Sequence, residues 1–269
     1  MTSLIHTEWL KLRKYKAFWW MTGIITLSYP GVNYLLYQLY QTTLNKPGPT
    51  GQMATMLIGY PFTFPEVWHT VAYASSIFVF IPSLVVIMFI TNEYTYKTHR
   101  QNIIDGWSRQ QFLSAKLINV LMISLLTTLL FTMVALVIGS VNRTDENVWG
   151  NSKYIPLFAL QSFAQLSIAF FIAFLARKAF IALGIFLFYF IILEPVIVGL
   201  GKWKLNDAGR FMPLEISDRL IPVPAFLGRF DEQNYKIAMA SINQHVVYTI
   251  LLIALVWAVC FWTNNRRDL

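Results

Sequence analysis

Ionisable side chains are scarce in this chain, and each one that interrupts an apolar run has to be accounted for. The densest group lies in "NEYTYKTHRQNIIDGWSRQQFLSAKL", Asn92 to Leu117, which holds Glu93, Lys97, Thr98, Arg100, Asp105, Gly106, Ser108 and Arg109. Acids, bases and hydroxyls together could serve catalysis, which needs a nucleophile beside a base or a pair of facing carboxylates. Neither arrangement is written here. There is no G-x-S-x-G, no H-E-x-x-H and no cluster of His and Asp at metal spacing. His99 and Asp105 are the segment's candidate base and acid, but Asp105 better suits a helix end or a neighbouring Arg. "GLGKWK" lacks the spacing and the hydroxyl residue of a phosphate-binding loop. Cys260 is the single cysteine, which excludes an internal disulfide. The expectation is a chain with no catalytic, cofactor-binding or metal-binding residues of its own, and an integral membrane enzyme is the weakest of the classes considered.

A second set of polar residues sits within the apolar runs. Glu194 interrupts "FYFIILEPVIVGL" and is followed by Pro195. A carboxylate at membrane depth costs on the order of 2.5 to 3.5 kcal/mol, so it should face protein or water. Two readings fit: a group lining a substrate path, or a carboxyl near the outer interface that is protonated or caps a broken helix. Gln161 and Gln165 are four apart on one helical face, and Asn33 and Asn119 lie in other runs. Such groups either contact cargo or hydrogen-bond between helices, and packing is the more ordinary use. An ion-driven secondary transporter remains the alternative class, with one acid in a span as its support.

The elements that must hold these residues follow from composition. Of 269 residues, 56% are hydrophobic and only 13% charged, against about 25% charged in a soluble domain. Runs near the roughly 20 residues that cross a bilayer recur at Ala17 to Tyr40, His69 to Thr91, Phe112 to Ser140, Tyr154 to Ala176, Phe180 to Gly201 and His245 to Thr263. Buried soluble helices would keep a polar face, and barrel strands would alternate over about 10 residues; these runs do neither. The expected fold is an all-α integral membrane protein, one membrane domain over residues 1–269 with six transmembrane helices.

The net charge of +8 sorts onto one side. The N-terminus, the second and fourth connections and the C-terminus carry 12 Lys and Arg against four acids, and the remaining chain is neutral. That is the positive-inside pattern, with both termini cytoplasmic, and no nucleic-acid partner is needed to explain it. The basic "KLRKYK" runs into a long span without a small-residue cleavage site, so the first span reads as an uncleaved anchor.

Outside the spans, residues 1–16 suit a helix lying on the inner leaflet, with Trp9 at headgroup depth and Lys11 and Lys14 toward anionic lipid, or else a plain basic anchor. Residues 202–244 form the longest external piece, read as a cap loop. Within it Pro213 can open a short helix with Met212, Ile216 and Leu220 spaced by four, ended by Pro222 and Pro224.

The segment over residues 92–111 reads as helix, stop and restart. Gly106 stands where a helix end needs a left-handed residue, and Ser108 with Gln111 makes a capping box that starts the next helix. Joining two spans needs only a few residues, so a shaped elbow either receives a partner or simply satisfies two helix ends at the interface.

In Glu93, Lys97, Thr98, Arg100, Gly106, Ser108, Arg109, Phe112 and Lys116 the segment resembles the signature of ABC-2 transporter permeases, and "HTEWLKLRKYKAFW" is similar to that family's N-terminal connecting helix. The resemblance implies that the elbow is a coupling helix seated in a groove of a separate nucleotide-binding ATPase. It further implies two membrane subunits working with two ATPases, which bind the ATP and Mg, in an exporter of the bacterial inner membrane. Glu93, Lys97, Thr98, Arg100, Gly106, Ser108 and Arg109 would then carry the coupling, and Glu194, Gln161, Gln165 and Asn33 are the residues for a substrate path. The apolar, aromatic spans suit an amphipathic or apolar cargo.

Overall fold

The computed structural model describes residues 16–44, 56, 58–104, 106–142, 147–204 and 207–266. Among them are helices and turns and no strand. Helix α1 (Lys16–Leu44) is followed by α2 (Val67–Ser76), α3 (Phe80–Thr95) and the short α4 (Thr98–Ile104). Then come α5 (Arg109–Val141), α6 (Tyr154–Ala176) and α7 (Ala179–Phe188), which a π-helical turn over Tyr189–Leu193 joins to α8 (Glu194–Lys204). A 3-10 turn (Ala208–Phe211), α9 (Pro213–Asp218), α10 (Ala225–Gly228) and the long α11 (Glu232–Arg266) complete the chain. The expected interfacial helix over residues 1–16 lies, apart from Lys16, outside the described residues.

Four stretches are long and apolar enough to cross a membrane: Arg109–Val141, Tyr154–Ala176, Ala179–Lys204 and Glu232–Arg266. The pair α2 and α3 makes a fifth, bent by 45°. The sixth expected span, Ala17 to Tyr40, falls in α1, which is 29 residues long but is not among them. Its four Tyr, two Gln and one Asn dilute its hydropathy.

Two runs that read as continuous are broken, each by a proline. Pro82 has no N–H to give the Phe78 carbonyl and its ring crowds that oxygen, so the second span bends at residues 77–79. Pro195 stands in the same relation to Ile191, and the fifth span absorbs it as the π-helical turn.

Helix α6 is the centre of the bundle. Two-thirds of its most apolar window (67%) is buried, against 22% for α7–α8 and for α11, so the latter pair form the outer surface. Ala164, Ala169 and Ala173 let neighbours approach it closely. Polar bonds then fix the register: Ser162 meets Ser124 of α5 at 2.8 Å, and the Trp257 indole of α11 donates to Ser167 at 3.0 Å. Apolar packing gathers in two clusters. One, on the α4 side, holds Phe89, Leu113, Phe170, Phe174 and Trp257; the other holds Tyr29, Trp68, Phe131, Phe158 and Leu220.

The piece over residues 202–244 differs from a simple surface cap. The short helix opened by Pro213 forms as α9, with Ile216 and Leu220 buried, but Glu232 to Gln244 belong to α11. Helix α9 packs against α6 as deep as Gln165, 11 residues in from Tyr154, or about 16 Å along the helix. Two glycines allow this re-entry. A Cβ on Gly201 would stand 2.5 Å from the Gly209 nitrogen, and one on Gly209 would stand 2.7 Å from the Val198 Cα. Gly209→Val should therefore cost about 1 to 3 kcal/mol through overpacking, read as a lower thermal midpoint in detergent. Gly184→Val, at a position open to space, should leave the midpoint unchanged.

Candidate functional site

The elbow is built by backbone exceptions. Helix α3 ends earlier than the sequence pattern suggests because Lys97 takes a positive φ of 55°. The turn brings His99 Nδ1 within 3.1 Å of the Glu93 carbonyl and its ring to 4.7 Å from that of Tyr94. Thr98 is half-buried over the same carbonyl, and Lys97 is exposed. After α4, Gly106 has a φ of 97° with open space where a Cβ would sit, so conformation alone asks for glycine there. Ser108 then caps α5: its Oγ accepts the Gln111 amide at 3.1 Å and the Gln111 Oε1 accepts the Ser108 amide at 2.9 Å. The backbone of Arg100 lies in α4, but its side chain, and all of Asp105, fall outside the described residues.

Glu93 does not sit on the elbow's surface. Its carboxylate is buried and bound to the fully buried Lys116 of α5 at 2.5 Å. The ammonium also lies 4.9 Å and 5.1 Å from the ring centroids of Phe89 and Phe112, a geometry in which ring faces attract a cation. Lys116 is thus one of the 12 basic residues of the positive side, yet it faces the core. Arg109 is also committed within the chain. Its Nη1 donates to the Asn265 carbonyl at 3.1 Å, and Asn264 Nδ2 donates to the Arg109 carbonyl at 2.8 Å. The start of α5 is in this way latched to the end of α11.

The other polar residues meet in the half of the bundle far from the elbow. Gln161 and Gln165 donate to Asp218 Oδ1 at 2.8 Å and 2.6 Å. Glu194 Oε1 accepts the Glu215 amide at 2.6 Å, so the carboxylate supplies the cap that α9 lacks from its own sequence. Glu194, Glu215 and Asp218 line one cavity of about 490 Å³, which lies between the bend at Ser76 and Ile77 and the break at Pro195. Glu215 is answered by Arg219 at 2.8 Å and Lys202 at 3.7 Å. Arg219 also grips Asp207 through both nitrogens at 2.6 Å and 2.7 Å, which holds the Asp207 carboxyl below the usual range. Asn33 stands apart from this group, donating to Ser75 at 3.1 Å and to the Tyr29 carbonyl at 2.8 Å, and so ties α1 to α2.

Sequence reasoning placed Lys116 in the family signature without a partner, and it missed Asp218 and Asn264. Lys116 carried a signal, since a base seven residues into α5, where the apolar run is already under way, asks for a partner. Asp218 carried none, because its loop is polar and nothing in its pattern reports re-entry.

Removing one member of a buried ion pair strands a charge at a cost of about 3 to 5 kcal/mol. Lys116→Met should accordingly lower the thermal midpoint sharply, and Glu93→Gln combined with Lys116→Met should recover most of the loss. A pair of additive effects in that cycle would show that the two side chains are not coupled.

A family model described as "ABC-2 family transporter protein" matches residues 4–193. No curated protein matches the chain. The matched stretch takes in the elbow, the Glu93–Lys116 pair and α6, and it stops one residue before Glu194. Well over half of the sequence is covered, and five apolar spans, one of them bent, agree with it: this multi-pass membrane protein belongs to the ABC-2 transporter family, as a membrane-spanning component and not as the ATPase.

Proposed function

We propose that the chain is the permease subunit of an ATP-binding cassette exporter, coupled through α4 to a separate nucleotide-binding ATPase that holds ATP and Mg. In this reading α1 is the first of six spans, since about 43 Å of helix exceeds the roughly 30 Å hydrocarbon core. Both termini and the elbow face the cytoplasm of a bacterial cell, where the excess of basic residues belongs. A second membrane subunit, a copy or a relative, completes the translocation unit.

The observation that carries the proposal is the elbow itself. Two positive-φ residues, Lys97 and Gly106, bracket α4, and the capping box restarts the chain as α5. A short helix isolated between two stops can be gripped and moved as a unit. The latch between Arg109 and the end of α11 gives that motion a route onward, because α11 reaches the cavity region, where His245 and Thr249 approach the Ile216 carbonyl at 3.3 Å and 3.4 Å. Lys97, Thr98 and Arg100 would contact the ATPase in this reading. Glu93 and Arg109 serve coupling by stiffening its base.

The test is affinity purification of the tagged chain from its native membrane in mild detergent. A P-loop ATPase should co-purify in stoichiometric amount, and Lys97→Glu with Arg100→Glu should release most of it, more so as salt rises. Gly106→Val should keep the chain inserted while ATP hydrolysis runs without transport. A chain that comes out alone and moves cargo without ATP would replace this reading with an ion-driven one.

A further inference from the structure

The carboxylates around the cavity are not equally matched. Glu215 has Arg219 and Lys202, whereas Asp218 is met by the two glutamine amides and Glu194 by a backbone amide. Among the described residues no basic side chain forms an ion pair with either. Glu194 is only 3% exposed, and although the Tyr189 hydroxyl and the Leu214 amide also face its carboxylate, Oε2 has no hydrogen-bond partner. An ionised oxygen held unsatisfied at this depth is costly, and the Glu215 amide fixes the carboxylate in place. Arg219 and Lys202 are engaged by Glu215 or Asp207.

The rest of the lining is apolar or aromatic, with Tyr73, Ile77, Phe190 and Val198. Ile77, Pro195 and Gly199 at its edge are exposed and continue into the apolar surface of Val196 and Leu200. No group of three or more His, Cys, Asp or Glu is close enough to hold a metal ion among the described residues. A cavity of this volume is the size that takes a small organic molecule. We infer that the cavity between Ile77 and Pro195 binds a cationic amphiphile, its positive group set between Glu194 and Asp218 and its apolar body against Ile77, Phe190 and Val198. As a statement about transported cargo this rests on the permease reading, but binding itself does not need the ATPase.

The experiment uses the full chain alone, in lipid nanodiscs, with radiolabelled tetraphenylphosphonium as probe. Saturable binding is expected. Glu194→Gln and Asp218→Asn should each weaken it about tenfold or more, while Glu232→Gln, on the exposed start of α11, should leave it unchanged. Neutral triphenylphosphine oxide should not compete. Because a cavity variant could misfold, an Ile77→Cys chain gives a second reading, in which the probe should slow maleimide labelling at the rim. No saturable binding, equal competition by the neutral analogue, or carboxylate variants that fold and bind normally would each overturn the inference. An ATPase that co-purifies with a chain that does not bind the probe removes the site and keeps the permease reading; binding by a chain with no ATPase does the reverse.

Discussion

No water is available inside a bilayer to satisfy an unpaired backbone or side-chain group, so each polar feature at membrane depth must be answered by protein. The arrangement around α9 follows from that constraint. Pro195 removes an amide from the fifth span, and the π-helical turn redistributes the ladder around it. Glu194, at the same point, needs a donor; the first turn of α9 needs an acceptor. Each supplies the other through the Glu215 amide. Asp218, at the far end of the same short helix, finds its donors on Gln161 and Gln165. A segment that would be a surface loop in a soluble protein is therefore drawn in between helices, and Gly201 and Gly209 give it room.

Stiffness is distributed in a way that suits transmission. Helix α11 runs 35 residues with neither proline nor glycine, so it behaves as a rod of about 52 Å. Its C-terminal end bonds to Arg109 beside the elbow, and His245, nearer its middle, approaches the Ile216 carbonyl beside the cavity. The rod packs against α6, α5 and α9, and the broken helices, α2 with α3 and α7 with α8, border the cavity. A displacement entering at α4 would meet little compliance along α11 and two hinges at the cavity. Glu93 and Lys116 keep α3 and α5 from separating beside α4.

The parts legible in the sequence were those set by local chemistry. Ser108 and Gln111 announce a capping box through their spacing, Gly106 announces its positive φ, and Pro213 opens the helix that forms there. Hydropathy located the apolar runs but not their interruptions, although Pro82 and Pro195 were visible and their effect is a known steric one. The residues that escaped are those whose meaning is tertiary. Asp218 looks like any polar loop residue until α6 is beside it, and Arg109 looks like a surface contact until Asn264 and Asn265 arrive from the other end of the chain. Glu93 shows the same limit from the other side: its position in the elbow was plain, but its burial depends on Lys116, 23 residues on.

The treatment of charge separates structure from site more sharply than position does. Glu93 has a lysine, Asp207 has both arms of an arginine, and Glu215 has an arginine and a lysine. In each of these the carboxylate's charge is answered by a base of the same chain, and the pair fixes one element against another. Glu194 and Asp218 are held as firmly, yet by dipoles, which orient a carboxylate without cancelling its charge. Glutamine or asparagine could have made many of the same bonds at less cost in a bilayer. Retaining ionisable groups there, on a cavity edged by apolar surface, leaves an electrostatic demand that the fold does not meet from its own described residues.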